Sequence, residues 1–311
     1  MAKNSLFWGK ARGKLGEIVL YRAGGEQRSR TYVKKIKNPK SLAQMTQRVK
    51  LGACVAFFRS TSNILRYSFP NRPARQSGFN AFISETLPVA STAVPREFAD
   101  QALSCPLDYR ISKGSLVLPS GAFMPQAFND SVGPVGLGLM DFPATSDSGL
   151  AVAANLSDVG NALSSWLNDN PDFATTLPNK FNICIIISEQ VAKGCLQTTR
   201  VLNCEREGNS VTVSGNLLPT AIGSPICGKI TNDDGDFFVI APNALCDAPV
   251  SFAGAFISYT DVNGKLVVSN AIMNNLSNQQ GELAKYKKNG DYYNQAIDEL
   301  GVGVGDVLST N

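Results

Sequence analysis

The chain is 311 residues long and 43% apolar, with seven cysteines and no histidine: enough for about two domains with real cores, but without the usual neutral-pH general base or the commonest transition-metal ligand. Its formal net charge of +4 hides two parts of opposite sign, since residues 1–75 carry 17 Lys/Arg against only Glu17 and Glu26, whereas residues 76–311 carry 12 Lys/Arg against 23 Asp/Glu. A basic segment joined to an acidic body suits a protein that holds a polyanion at one end, nucleic acid foremost.

Lys10, Arg12 and Lys14 alternate with Gly9, Ala11, Gly13 and Leu15, a stretch with little to bury that is expected to be mobile or ordered only by a partner. From Glu17 to Arg22 the residues alternate with strand periodicity. Gly24-Gly25 permits a tight reversal, and alternation resumes from Glu26 to Lys35, which predicts a basic β-hairpin. Arg28, Arg30, Tyr32 and Lys34 fall on one face of its second strand. Cations at that spacing lie roughly 6–7 Å apart, near the phosphate spacing of an extended single strand, and Tyr32 is placed to stack on a base.

Pro39 stops strand pairing, and Ser41 with Gln44 fits a capping box, so a helix is expected from Leu42. Leu42, Met45, Val49, Ala53 and Ala56 mark its apolar face, with Gln44, Gln47, Arg48 and Lys50 largely outside it. The all-apolar run Ala53-Cys54-Val55-Ala56-Phe57-Phe58 is expected to be buried in the body or in another subunit. Taken together, Lys10, Arg12, Lys14, Arg22, Arg28, Arg30, Tyr32, Lys34, Lys35, Lys37, Lys40, Arg48 and Lys50 form the candidate nucleic-acid interface, within residues 1–50.

The chain divides into a basic arm and hairpin (1–40), a helical connecting region (41–104), a β-sandwich body (105–275) and a helical tail (276–311). In the connecting region, residues 77–83 read as a short helix between Arg72-Pro73 and Leu87-Pro88. Strands are expected over 108–119, 135–140, 149–154, 181–189, 196–205, 210–217, 225–230, 236–240, 250–260 and 265–270, with turns at Gly208-Asn209, Asp234-Gly235 and Asn263-Gly264. A helix interrupts them over 158–169, with Val159, Leu163 and Trp166 on one side. The fold class is therefore mainly β with α: an antiparallel sandwich, jelly-roll-like or immunoglobulin-like, with C-terminal helices. Residues 279–288 and 291–300 supply those helices, and their tyrosines favour docking on a neighbouring copy.

Catalytic signatures are missing: no G-x-S-x-G elbow, P-loop or H-E-x-x-H occurs, so no enzyme activity and no cofactor are expected. Asp233, Asp234 and Asp236 fit no EF-hand spacing, and the cysteines form no C-x-x-C pair. No metal site is expected, and the thiols read as reduced and mostly buried. Neither a membrane span nor a signal peptide is visible, and no small-molecule substrate is identified.

Gly13-Lys14-Leu15-Gly16-Glu17-Ile18-Val19-Leu20-Tyr21, the basic second strand and Lys37-Asn38-Pro39-Lys40-Ser41-Leu42-Ala43-Gln44-Met45-Thr46-Gln47-Arg48 resemble the opening of a domain-of-unknown-function family encoded by bacteria and their phages. Asn80-Ala81-Phe82, Ile111-Ser112-Lys113-Gly114-Ser115-Leu116, Ala255-Phe256-Ile257-Ser258 and Val268-Ser269-Asn270 extend the likeness over about residues 9–271. The resemblance implies the order of hairpin, helix and β domains; the family has no established activity to transfer. The expectation is a non-enzymatic structural protein of a phage-like particle, coat or coat-associated, whose basic region contacts packaged nucleic acid. It would be made in the cytoplasm and assembled into virions with copies of itself. The alternatives are a cytoplasmic nucleic-acid-binding protein, DNA or RNA, acting as a monomer or small oligomer, and an interaction module for an acidic protein.

Overall fold

The computed structural model describes residues 2–3, 12–23, 26–33, 42–89, 109–127, 134–139, 152–191, 194–218, 225–232, 235–240 and 250–275. The chain forms two compact units, Met1–Gln44 and Met45–Asn311.

In the first unit, β1 (Ala2–Lys3), β2 (Gly13–Leu15), β3 (Ile18–Ala23) and β4 (Glu26–Thr31) form one antiparallel sheet in the order β1-β4-β3-β2. The expected hairpin is β3–β4, closed at the pair Ala23↔Glu26. The Gly-rich stretch before it departs from expectation, because Gly13, Lys14 and Leu15 pair with Leu20, Val19 and Ile18. Gly16, at φ +58, allows the reversal through Gly16-Glu17, so the backbone groups of β2 are satisfied by the β3 ladder rather than by side-chain burial.

The second unit begins within α1 (Leu42–Ser60) and continues through α2 (Ser62–Leu65), α3 (Gly78–Thr86), β5 (Arg110–Ser112), β6 (Met124–Ala127), β7 (Pro134–Gly138), β8 (Val152–Ala153), α4 (Leu156–Asp169) and α5 (Pro171–Thr176). The strands β9 (Lys180–Val191), β10 (Gly194–Glu207), β11 (Ser210–Ser214), β12 (Cys227–Asn232), β13 (Gly235–Ile240), β14 (Val250–Thr260), β15 (Leu266–Val268), β16 (Ala271–Ile272) and β17 (Asn274–Asn275) complete it.

Its centre is the antiparallel sheet β11-β10-β9-β14-β15, with β17 also paired to β14. Three hairpin-connected strands followed by a fourth that returns beside the first make a Greek key. The return passes through the hairpin β12–β13, which belongs to a second antiparallel sheet, β6-β7-β13-β12-β8. Both faces of the central sheet are covered, which explains why β9 reads Phe-Asn-Ile-Cys-Ile-Ile-Ile instead of alternating. Phe181, Ile183, Ile185 and Ile187 join one core with Leu137, Phe238 and Ile240 of the second sheet and with Val159, Leu163 and Trp166 of α4. Cys184 and Ile186 join Phe252 and Phe256 in another core with the helices α1, α2 and α3. The expected sandwich is thus present, with a helical layer on its far side.

The outer elements follow local chemistry. In α4 the Asn155 side chain accepts from the Asp158 N–H at 2.9 Å while the Asp158 carboxylate accepts from the Asn155 N–H at 3.0 Å. This reciprocal cap starts the helix at Leu156, two residues before the expected start. Pro171 at the first turn of α5 opens a second helix that periodicity alone does not announce. Among the described side chains of α1, Lys50, Ala53, Cys54, Phe57 and Phe58 are buried and Ala56 is half-buried, since two phenylalanines remove more apolar area from water than Ala56 does. Phe57 packs on Tyr109 at 4.9 Å and Phe82 at 6.0 Å, and Phe58 packs on Phe79 at 5.2 Å. Of the run from Ala53 to Phe58, Ala53, Cys54, Phe57 and Phe58 are buried within their own chain, and Val55 and Ala56 are half-buried.

Three of the later segments quoted for the resemblance, 111–116, 255–258 and 268–270, meet in this unit. Ser112 donates to the Ser269 carbonyl at 2.6 Å, the Gly114 N–H to Asn270 Oδ1 at 3.1 Å, and the Ile257 N–H to Ser269 Oγ at 3.0 Å. The expected strand over 108–119 shortens to β5, joined by an isolated bridge between Leu116 and Ser269. Strands β12 and β13 pair in register from Cys227↔Ile240 to Asn232↔Gly235. The Gly24-Gly25 turn, Asp233, Asp234 and the expected helical tail over 276–311 lie outside the described residues. No helix among the described residues is long and apolar enough to cross a membrane.

Cys54, Cys184, Cys204 and Cys227 are free and buried. Burial pushes the Cys54 thiol up to about 11, against the opposing pull of Lys50 and a Tyr109 hydrogen bond, and the Cys204 thiol up to about 12. Cys184 and Cys227 shift upward for the same reason.

Two outcomes follow from this packing. Phe82→Ala, which empties the centre of the aromatic cluster, lowers unfolding stability by about 3–5 kcal/mol, whereas Val262→Ala at a fully exposed turn stays within about 0.5 kcal/mol; urea denaturation reads both. Above the ordinary thiol value of 9.0 the unfolded chain releases protons that the folded chain retains. Stability is therefore held below that pH and falls as pH rises toward the folded values, by up to about 1.4 kcal/mol per thiol per pH unit. Urea midpoints at pH 8, 9 and 10 measure the fall, and Cys204→Ala removes its share.

Candidate nucleic-acid interface

Pairing register assigns the faces of the N-terminal sheet. Val19 lies opposite Arg30, Tyr21 opposite Arg28, and Lys14 opposite Val19. Directly opposed residues share a face, so Lys14, Tyr21, Arg28 and Arg30 stand on one side. Tyr32 joins them by alternation, and its N–H continues the ladder to the Glu17 carbonyl. The other side carries Leu15, Ile18, Leu20, Arg22, Gln27, Ser29 and Thr31. The two faces differ: one is basic and aromatic, and the other mixes the apolar Leu15, Ile18 and Leu20 with Arg22, Gln27, Ser29 and Thr31.

On the basic face Arg28 and Arg30 are separated by about 6–7 Å along β4, and Lys14 lies two strands across from Arg30, about 10 Å away. Lys14 and Arg30 are exposed. Arg28 pairs with Glu26 at 3.5 Å, with both side chains well solvated, so the pair holds the guanidinium weakly. The Lys14 ammonium sits 3.7 Å from the centre of the Tyr32 ring, a cation–π contact that fixes both groups. Tyr32 keeps 37% of its surface exposed. Lys14 holds one ring face, and the exposed part of the ring is what an incoming base would meet. The chemistry of this face is that of a solvated cation array beside two tyrosines, suited to backbone phosphates and a stacked base.

The remaining candidates divide. Arg12 is exposed just before β2, and Arg22 is exposed on the opposite face from Arg28 and Arg30. Lys10, Lys34, Lys35, Lys37 and Lys40 lie outside the described residues. Arg48 is exposed on α1, in the second unit. Lys50 departs from its expected place, being only 7% exposed because it sits on the buried stripe of α1 one turn before Cys54. Burial lowers its pKa, and Cys54 opposes the shift. A lysine so placed is withdrawn from a surface phosphate track. Sequence reasoning missed the contribution of β2 to the sheet, although Gly16-Glu17 between two alternating runs was its signal.

Among the described residues no group of three or more acidic or cysteine side chains could hold a metal ion. The sequence profile of a family of unknown function, DUF6266, matches residues 9–165. The match takes in β2 through β8 and most of α4, and it stops before the central sheet. It contains the whole hairpin and the helices α1, α2 and α3, which pack on strands beyond its end. No curated protein and no solved structure matches the chain.

Proposed function

The chain belongs to DUF6266, a family of unknown function, and from the face of its N-terminal sheet we propose that it is a non-enzymatic nucleic-acid-binding protein. The observation that supports this reading is the gathering of Lys14, Arg28, Arg30 and Tyr32 on one side of a sheet in a unit with Glu17 and Glu26 as its only acids. Cations spaced along and across the strands neutralise a phosphate chain and release its counterions, while Tyr32 offers stacking that tolerates any base. Backbone contacts of this kind hold nucleic acid without reading its sequence.

A second reading, a structural protein of a phage-like particle, draws on the opposite face. Leu15 and Ile18 are 52% and 46% exposed there, and Val33 just beyond β4 is 58% exposed. A sheet that meets a second copy through that side would present its basic side to a packaged genome.

Fluorescence anisotropy with a labelled 20-nucleotide single strand, between 50 and 200 mM KCl, tests the first reading. Wild type is expected to bind with a steep salt dependence, and Lys14→Ala and Arg30→Ala each to reduce the slope of log affinity against log salt by about 0.7. Tyr32→Ala is expected to cost about 1–3 kcal/mol with the slope unchanged. Variants with wild-type affinity and slope refute the interface, and equal binding of polyglutamate points instead to an acidic protein partner. Sedimentation velocity tests the second reading: wild type is expected to assemble and Ile18→Lys to shift toward smaller species, and a wild type that stays monomeric at high concentration overturns it.

A further inference from the structure

A groove of about 620 Å³ lies between α1 and α3, within the roughly 300–1,000 Å³ of small-molecule sites. Ile83, Leu87 and Pro88 supply its apolar lining, Gln47 and Asn80 bring amides, and Lys50 brings the one charge. Lys50 is buried, and neither helix offers it a counter-ion. Helix α1 contains no acidic residue, and the single acid of α3, Glu85, is engaged by Lys113 through both carboxylate oxygens at 2.8 and 2.9 Å. Among the described residues no carboxylate pairs with Lys50.

A buried ammonium without an anion is costly, and an anion brought from solution recovers much of that cost. The groove also selects the kind of anion. One lysine with no arginine fork matches a single negative charge, and the apolar lining disfavours the second charge and heavy hydration of a phosphate. We propose that this groove binds an amphipathic monocarboxylate, its carboxylate on Lys50 and its short apolar body against Ile83, Leu87 and Pro88. The amides of Gln47 and Asn80 are placed to donate to the carboxylate oxygens left over. The site lies in the second unit and stands or falls independently of nucleic-acid binding by the first.

Equilibrium dialysis of the full-length protein with octanoate and 1-octanol reads the proposal directly. Octanoate is expected to bind about tenfold more tightly than the alcohol, the increment of one charge-assisted hydrogen bond. Lys50→Met keeps the length and apolar character of the stem and is expected to bring the two affinities within about twofold of each other while the protein melts no lower than wild type. Ser84→Leu fills the groove from an exposed position, keeps the charge, and is expected to weaken both ligands; it decides the matter if Lys50→Met fails to fold. Equal affinities in wild type, a preference that survives in Lys50→Met, undiminished binding in Ser84→Leu, or competition by inorganic phosphate as strong as that by octanoate each overturns the proposal.

Discussion

The second unit depends on burying both faces of one antiparallel sheet. Strands β9 and β14 carry apolar side chains on alternate and intervening positions alike, so neither face tolerates water. One side is closed by α4, α5 and the sheet β6-β7-β13-β12-β8, the other by α1, α2, α3 and β5. Close approach is needed on the second side: a Cβ at Gly114 would meet the Val268 carbonyl oxygen at 2.0 Å, and one at Gly254 would meet the Ile111 Cδ1 at 2.6 Å. These contacts bring 111–116, 254–258 and 268–270 together although some 140 residues separate the first from the second. The family match therefore ends partway through a cooperative core. Helices α1 and α3 lie within residues 9–165, yet Ile186, Phe252 and Phe256, which cover them, lie beyond.

The N-terminal unit obeys a different constraint. A four-stranded sheet with Leu20 as its one buried apolar side chain among the described residues has little core of its own. Its order rests on ladder hydrogen bonds, cross-strand pairs and the Lys14–Tyr32 contact rather than on a packed interior. Such a sheet loses little by carrying solvated cations on one face, and the mostly acidic composition beyond residue 75 keeps the chain near neutrality overall. Charge and stability are thereby separated along the chain: the cations are gathered where few apolar contacts compete for the same surface.

Much of this architecture follows from periodicity and turn chemistry. Strands β9 to β15 fall where alternation or apolar runs meet Gly and Asn turns, and Gly208 and Gly264 take positive φ at two of the expected reversals. What periodicity does not reveal has short-range causes. Strands β6, β16 and β17 have four residues or fewer, and β6 contains Pro125, so no repeat is long enough to read. Helix α5 follows α4 after one residue, and only Pro171 marks the break. Strand β2 was masked by its glycines, which suggest mobility until the partner strand is known. At the candidate interface, alternation places Arg28, Arg30 and Tyr32 together correctly, but Lys14 joins them only through a register that no single strand contains.

Lys14 and Lys50 show why a count of cations cannot assign their roles. Both are lysines of the basic N-terminal quarter, and both lie beside an apolar neighbour. Lys14 is exposed and rests on the face of Tyr32, where solvent screens its charge and a polyanion can share it. Lys50 occupies a helix position whose neighbours at three and four residues on, Ala53 and Cys54, are buried in the aromatic core, and the helix carries its stem inward with them. The first charge costs nothing to hold and is open to a long, loosely specified partner. The second is held against a desolvation penalty, on the wall of a groove between two helices. Helix phase and strand register thus place in two different environments charges that composition reports as one.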